Sequence, residues 1–67
     1  MRYLAEPERG ALSPGNRLVR HYRDDRNALR FMHRHLRASH FPSGQYRLIA
    51  WASDGTERFV GHLYKTA

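Results

Sequence analysis

Residues 45–65 constrain the fold of this chain most strongly, because their pattern predicts a β-hairpin. Two runs rich in β-branched and aromatic residues, 46–51 and 58–64, flank the dipeptide Asp54-Gly55. Asp-Gly can adopt the positive φ angles of a two-residue type I′ turn, whose twist matches that of two paired strands. With this dipeptide at the tip, the predicted register pairs Trp51 with Arg58, Ile49 with Val60, and Arg47 with His62.

The predicted register gives the hairpin two chemically different faces, because side chains alternate across a strand. One face is apolar and is expected to form the core, with Tyr46, Leu48, Ala50, Phe59, Gly61 and Leu63. The other face mixes apolar and aromatic groups with cations, and it carries Arg47, Ile49, Trp51, Arg58, Val60, His62 and Tyr64. A function is expected on this second face.

A helix is predicted from Asp24 or Asp25, either of which can cap its first turn, to about Ser39. On a helical wheel the apolar quadrant, which should cover the sheet, contains Ala28, Leu29, Met32 and Leu36. A basic stripe lies across the helix within an arc of roughly 80° and contains Arg26, Arg30, Arg34 and Arg37. Such a stripe either tracks phosphates or is an ordinary solvated helix face.

The N-terminal half is less regular. Residues 1–15 contain Pro7, Pro14 and two glycines, and they predict an irregular N-terminal arm with, at most, a short edge strand. Residues 16–23 have the composition of a strand, with Leu18 and Tyr22 facing inward. The prediction is therefore an α+β fold in which residues 16–67 form a single two-layer β-α-β-β domain, with one helix on a three-stranded sheet. The first two of these strands should be parallel if they share a sheet.

Catalytic and metal-binding patterns are not found in the sequence. The chain has no cysteine, which excludes disulfides and thiolate ligands. His33 and His35 are two residues apart on a helix, so they cannot share one metal ion. Serines occur at predicted turns and at a helix end, where capping accounts for them. We therefore predict a protein that is not an enzyme and that needs neither a metal nor another cofactor.

One catalytic alternative comes from a resemblance. A basic domain whose helix packs on a hairpin bearing Arg, His and Tyr resembles, in this general pattern alone, the ribosome-dependent endoribonuclease toxins. The resemblance implies that such side chains move protons and stabilise a phosphorane. An endoribonuclease activity is therefore kept as an alternative.

The charge balance favours a polyanionic partner. Twelve Lys and Arg residues face six Asp and Glu residues, and eleven of the twelve cations are Arg, whose forked guanidinium suits phosphate. The first functional hypothesis is nucleic-acid binding, either DNA or RNA, by stacking of bases on aromatic rings and contact of cations with phosphates. The residues predicted to bind are Arg26, Arg30, Arg34, Arg37, Arg47, Trp51, Arg58, His62 and Tyr64.

A protein partner is the second hypothesis. One helix covers only one face of a sheet, so Ile49, Trp51 and Val60 should form an exposed apolar patch. This patch predicts either a homodimer or a small regulator, such as a phage-type inhibitor, that docks on a larger protein with an acidic surface. No apolar run approaches 18 residues, so neither a membrane span nor a secretion signal is predicted, and a cytoplasmic location is expected.

Overall fold

A computed structural model describes residues 1–8 and 17–66 and places one helix on a four-stranded antiparallel sheet. In chain order the elements are β1 (Arg2–Pro7), β2 (Leu18–His21), α1 (Asp25–Ala38), β3 (Gly44–Trp51) and β4 (Glu57–Lys65). The strands lie in the order β2-β1-β3-β4. The predicted α+β class is confirmed. Both β2 and β3 run antiparallel to β1, so the two strands joined by the helix point in the same direction, as predicted.

The predicted irregular arm is wrong for residues 2–7, which form the inner strand β1 between β2 and β3. The reason is burial on both faces. Tyr3 and Ala5 are fully buried against the helix, and Leu4 is buried on the opposite face. Three consecutive apolar residues are typical of an inner strand rather than of an edge strand. The remainder of the predicted arm, residues 9–15, and Asn16 lie outside the described residues.

The helix begins and ends where its capping residues predict. The Asp24 side chain accepts a hydrogen bond from the Asn27 amide at 2.9 Å, which satisfies one of the unpaired donors of the first turn. At the other end, Ser39 is the C-cap. The ammonium group of Lys65 donates to the carbonyl oxygens of Ser39 and Phe41, and so ties β4 to the helix C-terminus, where a cation is favoured. No helix of the described residues has the length and apolarity needed to cross a membrane.

The hairpin turn is one residue longer than predicted. The Ala52 amide donates to the Thr56 carbonyl and the Gly55 amide to the Ala52 carbonyl, which leaves a three-residue loop at the tip. The Asp54 carboxylate accepts hydrogen bonds from the amide and hydroxyl of Thr56. Within this loop only Gly55 takes a positive φ, of 89°, whereas the Asp54 backbone stays outside the left-handed region. This is the geometry of a type I turn followed by a glycine bulge.

The longer turn shifts the hairpin register by one residue, and a β-bulge then shifts it back. Near the tip, Ala50 pairs with Arg58 and Ile49 with Phe59. Beyond the tip Leu48 pairs with Gly61, which leaves Val60 as the extra residue of the bulge. The predicted pairs Trp51–Arg58 and Ile49–Val60 are therefore wrong, whereas Arg47–His62 is confirmed.

A one-residue shift exchanges the faces of a strand. Phe59, predicted to be a core residue, is 53% exposed on the face away from the helix. Arg58 points to the helix side, and Val60 packs against the core.

The core lies between α1 and the sheet. The apolar helix stripe is confirmed by Ala28, Met32 and Leu36, all fully buried, and by half-buried Leu29. The inner sheet face contributes Tyr3, Ala5, Leu18, Tyr46, Leu48, Ala50 and Leu63. A Cβ atom at Gly61 would lie 3.3 Å from Leu29 Cδ2, so the glycine allows the helix to approach β4 closely.

Candidate nucleic-acid interface

The arginine stripe, defined as Arg26, Arg30, Arg34 and Arg37, lies on the solvent side of α1, where all four residues are exposed. They are spaced by four, four and three residues, so they follow one face of the helix over roughly 16 Å at 1.5 Å per residue. No acidic residue occurs in the sequence between Asp25 and Asp54. The stripe is therefore a row of like charges that its own helix does not neutralise.

An aromatic ring, rather than a carboxylate, supports the middle of the stripe. The guanidinium carbons of Arg30 and Arg34 lie 5.7 Å and 5.5 Å from the centroid of the Phe31 ring. Phe31 in turn stacks on Tyr22 at 6.1 Å. A cation held over a ring keeps the N–H groups at its edge available as donors. Within the described residues, none of the four guanidinium groups of the stripe forms an ion pair with a carboxylate.

The other predicted binding residues lie elsewhere on the molecule. Arg47, Trp51 and His62 belong to the open face, by which we mean the sheet face away from α1, and alternation along β4 places Tyr64 there as well. The helix lies on the opposite face of the sheet, so the structure divides the predicted nucleic-acid contacts between two separate surfaces.

The basic side chains and the histidine of β4 on the open face are engaged by neighbouring residues. Arg47 Nη2 donates to Glu6 Oε1 at 2.5 Å, and His62 Nδ1 lies 3.8 Å from Glu8 Oε2. The Arg2 guanidinium lies over the Trp51 ring at 4.4 Å, and the Trp51 indole N–H donates to Glu57 at 2.8 Å. These contacts make the open face less attractive to phosphate than the sequence pattern predicts.

Arg58 is a correction to the predicted set, because the register shift places it on the helix side. Its two terminal nitrogens donate to both carboxylate oxygens of Asp25, at 2.7 Å and 2.9 Å. The Tyr3 hydroxyl also donates to Asp25, at 2.8 Å. Asp25 thereby joins the start of the helix to β1 and β4, and Arg58 serves this junction.

The junction shifts the pKa values of two of its members. Hydrogen bonds from Arg58, and next from Tyr3, lower the pKa of Asp25 from 3.8 to about 2. Burial, and then the hydrogen bond to Asp25, raise the pKa of Tyr3 to about 12. At neutral pH the carboxylate is therefore charged and the hydroxyl keeps its proton, as their hydrogen bond requires.

A carboxylate with a lowered pKa stabilises the fold above its unfolded-state pKa, and this stability is lost as the pH falls towards the folded-state value. The parent should lose stability as the pH falls from about 4 to about 2, because Asp25 then takes up a proton. We expect the Asp25→Asn variant to lose less stability over this range, because it has no carboxylate at this position to protonate. Asp24→Asn is the matched control, because Asn still caps the helix and Asp25 still titrates. Thermal melts at pH 5 and pH 2.5 measure the difference. An Asp25→Asn variant that loses as much stability as the parent would contradict the assigned junction.

The predicted apolar patch of Ile49, Trp51 and Val60 is also corrected. Val60 packs against the helix-side core, and Ile49 is only 8% exposed. Trp51 is half-buried. Among the described residues, the large apolar or aromatic side chains exposed on this face are Val19, Phe59 and Tyr64. None of the three belonged to the predicted patch.

Some residues that the sequence hypothesis missed had a detectable pattern. Arg2 and Glu6 lie on the same side of a strand as Leu4, with Tyr3 and Ala5 on the other side, which is a pattern of one wholly apolar face and one face with charged ends. Phe31 is followed three residues later by Arg34, a spacing that brings side chains together on a helix. The outward position of Phe59 had no such signal, because it depends on the bulge.

The described residues contain no group of three or more His, Asp or Glu side chains that could hold a metal ion. The Arg, His and Tyr residues behind the endoribonuclease alternative do not converge either, since Arg58 is bound to Asp25 on the helix side and His62 Nδ1 accepts a hydrogen bond from Gln45 Nε2 on the open face.

Comparisons with models of protein families, with curated proteins and with solved structures find no match to this chain. The proposals for this protein therefore rest on its own residues and their arrangement.

Proposed function

We propose that this protein binds nucleic acid through the arginine stripe, mainly by contacts to the phosphate backbone. The observation that supports the proposal is the row of four exposed guanidinium groups on α1, two of which lie over Phe31 instead of pairing with a carboxylate. Guanidinium groups with free N–H donors can form bidentate contacts to phosphate.

The helix context favours backbone contact over base recognition. The stripe is straight and spans roughly 16 Å, a length that can follow several phosphates of one strand. Phosphate contacts position a protein on nucleic acid without carrying sequence information. We therefore expect similar affinity for unrelated sequences. The predicted stacking of bases on Trp51 and Tyr64, like the cytoplasmic location, stays a prediction.

The second candidate function is protein binding at the open face, as a regulator or a phage-type inhibitor. The exposure of Val19 and Phe59 on that face favours a protein contact there. Because the stripe and the open face lie on opposite sides of the molecule, the two functions do not exclude each other.

A salt titration tests the proposal. If all four guanidinium groups neutralise phosphates of a duplex, a plot of the logarithm of the binding constant against the logarithm of the salt concentration should have a slope of about −3.6, at roughly 0.9 per contact. Fluorescence anisotropy with two labelled duplexes of unrelated sequence should give the same slope for both. Absence of binding at low salt, or binding that salt does not weaken, would contradict the proposal.

A further inference from the structure

The open face is organised as three rows of side chains that cross all four strands. The strand pairings place Val19 beside Leu4, Leu4 beside Ile49 and Ile49 beside Phe59, which together make a continuous apolar row. Its two central residues are nearly buried, whereas Val19 at one end is 39% exposed and Phe59 at the other end is 53% exposed. The bulge at Val60 is what turns Phe59 outward and extends the row to the edge of β4.

A row of polar side chains lies on each side of the apolar row. The first polar row contains, from the β2 edge to β4, Arg17, Glu6, Arg47 and His62, and Arg17 directly precedes β2. Glu6 is bonded to Arg47 at 2.5 Å and lies 3.8 Å from Arg17. The second polar row contains His21, Arg2, Trp51 and Glu57 in the same strand order. The acidic residue of the first polar row, Glu6, lies on β1, and that of the second polar row, Glu57, lies on β4.

This arrangement is complementary to itself. Consider a second copy placed face to face and related by a two-fold axis that runs along the apolar row. The apolar row then meets its own counterpart, and each polar row meets the other polar row with the strand order preserved. Glu6 faces Arg2 of the second copy, Arg47 faces its Trp51, and His62 faces its Glu57. Glu6 and Glu57 thereby meet a cation and a histidine, and the remaining pair is Arg17 with His21 of the second copy, so no two carboxylates and no two arginines are opposed in the polar rows.

We propose that the open face is the interface of a homodimer in which two sheets pack face to face along their apolar rows. Charge complementarity identifies the second copy as the partner, because each polar row contains both an acidic residue and arginine. A partner surface that is uniformly acidic or uniformly basic would meet a group of its own charge in either polar row. An apolar centre with a polar rim is the usual anatomy of a protein interface. The homodimer is independent of the proposed nucleic-acid binding.

The size of the face indicates the strength of the dimer. Four strands about 4.8 Å apart and three rows about 6.8 Å apart give a patch of roughly 19 by 20 Å on each copy. The two patches together cover roughly 800 Å², which is below the roughly 1,200 Å² of stable interfaces and in the range of weak, transient ones. We therefore expect dissociation in the micromolar range. In this dimer the two helices lie on opposite outer surfaces, so the two arginine stripes point away from each other.

Sedimentation equilibrium from 5 to 500 μM tests the proposal. The wild type should approach twice the chain mass of 7.9 kDa at the high end of this range. Val19→Glu combined with Phe59→Glu places two like charges at the exposed ends of the apolar row, and this variant should remain at the mass of one chain with an unchanged circular dichroism spectrum. The matched control is Ser43→Glu with Thr66→Glu, which adds the same charge at exposed positions outside the rows and should dimerise like the wild type.

A charge exchange tests the proposed orientation, and it does not alter the apolar row. His62→Glu opposes Glu57 of the second copy and should weaken dimerisation at least tenfold, whereas adding Glu57→Lys should restore it.

A wild type that stays monomeric at 500 μM would overturn the proposal, as would an apolar-row variant that dimerises normally. A double charge variant no better than His62→Glu alone would overturn the orientation. If the wild type is monomeric and single-stranded oligonucleotides quench Trp51 fluorescence, the occupant of the face is nucleic acid and the homodimer is wrong.

Discussion

Leu36→Ala and Leu48→Ala are each expected to lower the free energy of unfolding by about 2 to 5 kcal/mol. Both side chains are fully buried, Leu36 on the helix and Leu48 on the neighbouring sheet face, so either truncation opens a cavity between the two layers. A core in a domain of this size rarely supplies more than about 3 to 5 kcal/mol. Either variant should therefore lose most of its stability.

Leu29→Ala is the matched control for these two variants. It makes the same chemical change, and it lies on the same helix as Leu36, but Leu29 is only half-buried, so a smaller loss is expected. Urea unfolding followed by circular dichroism gives all three values, and the protein concentration must be held constant because dimerisation would add stability by mass action. If Leu36→Ala or Leu48→Ala unfolded at the same urea concentration as Leu29→Ala, the assigned packing of helix on sheet would be wrong.

The second large effect is expected in binding. Arg30→Gln combined with Arg37→Gln should weaken binding to a duplex on the order of 50-fold at 0.1 M salt, since each phosphate contact contributes roughly 0.9 to the salt exponent. Folding should be nearly unaffected, because substitutions of exposed residues usually change stability by less than about 0.5 kcal/mol. Leaving Arg34 in place keeps one guanidinium group over Phe31.

Arg20→Gln combined with Arg23→Gln is the control for net charge. Both residues are exposed, precede α1 in the chain and lie outside the stripe. A loss of binding that follows total charge alone would affect the two double variants equally, whereas contact through the stripe predicts a clearly larger loss for Arg30 and Arg37.

The helix was predictable because its signals are local. The Asp24 cap, the apolar quadrant and the stop near Ser39 depend only on residues within a few turns of one another, and the structure confirms all three. The arginine stripe follows from the same periodicity, so its geometry was predictable as well.

The open face was only partly predictable, because its composition depends on two small backbone features. The Asp54 side chain accepts a hydrogen bond from the Thr56 amide, and the loop has one residue more than the predicted turn. The added residue places Arg58 and Phe59 each on the face opposite to the one predicted. The bulge at Val60 then restores the register, which is why Arg47 and His62 were placed correctly. β1 contributes Arg2, Leu4 and Glu6, and it was missed because a six-residue strand next to proline and glycine reads locally as an arm.

The salt dependence of binding by the Arg30→Gln and Arg37→Gln double variant tests the central claim most directly. Binding to one labelled duplex is measured from 50 to 300 mM salt for the wild type, this variant and the Arg20→Gln and Arg23→Gln control. Contact of the stripe with phosphates predicts a slope that is shallower by about 1.8 for the stripe variant and close to the wild-type value for the control. A stripe variant with the wild-type slope would show that the four arginines form an ordinary solvated helix face.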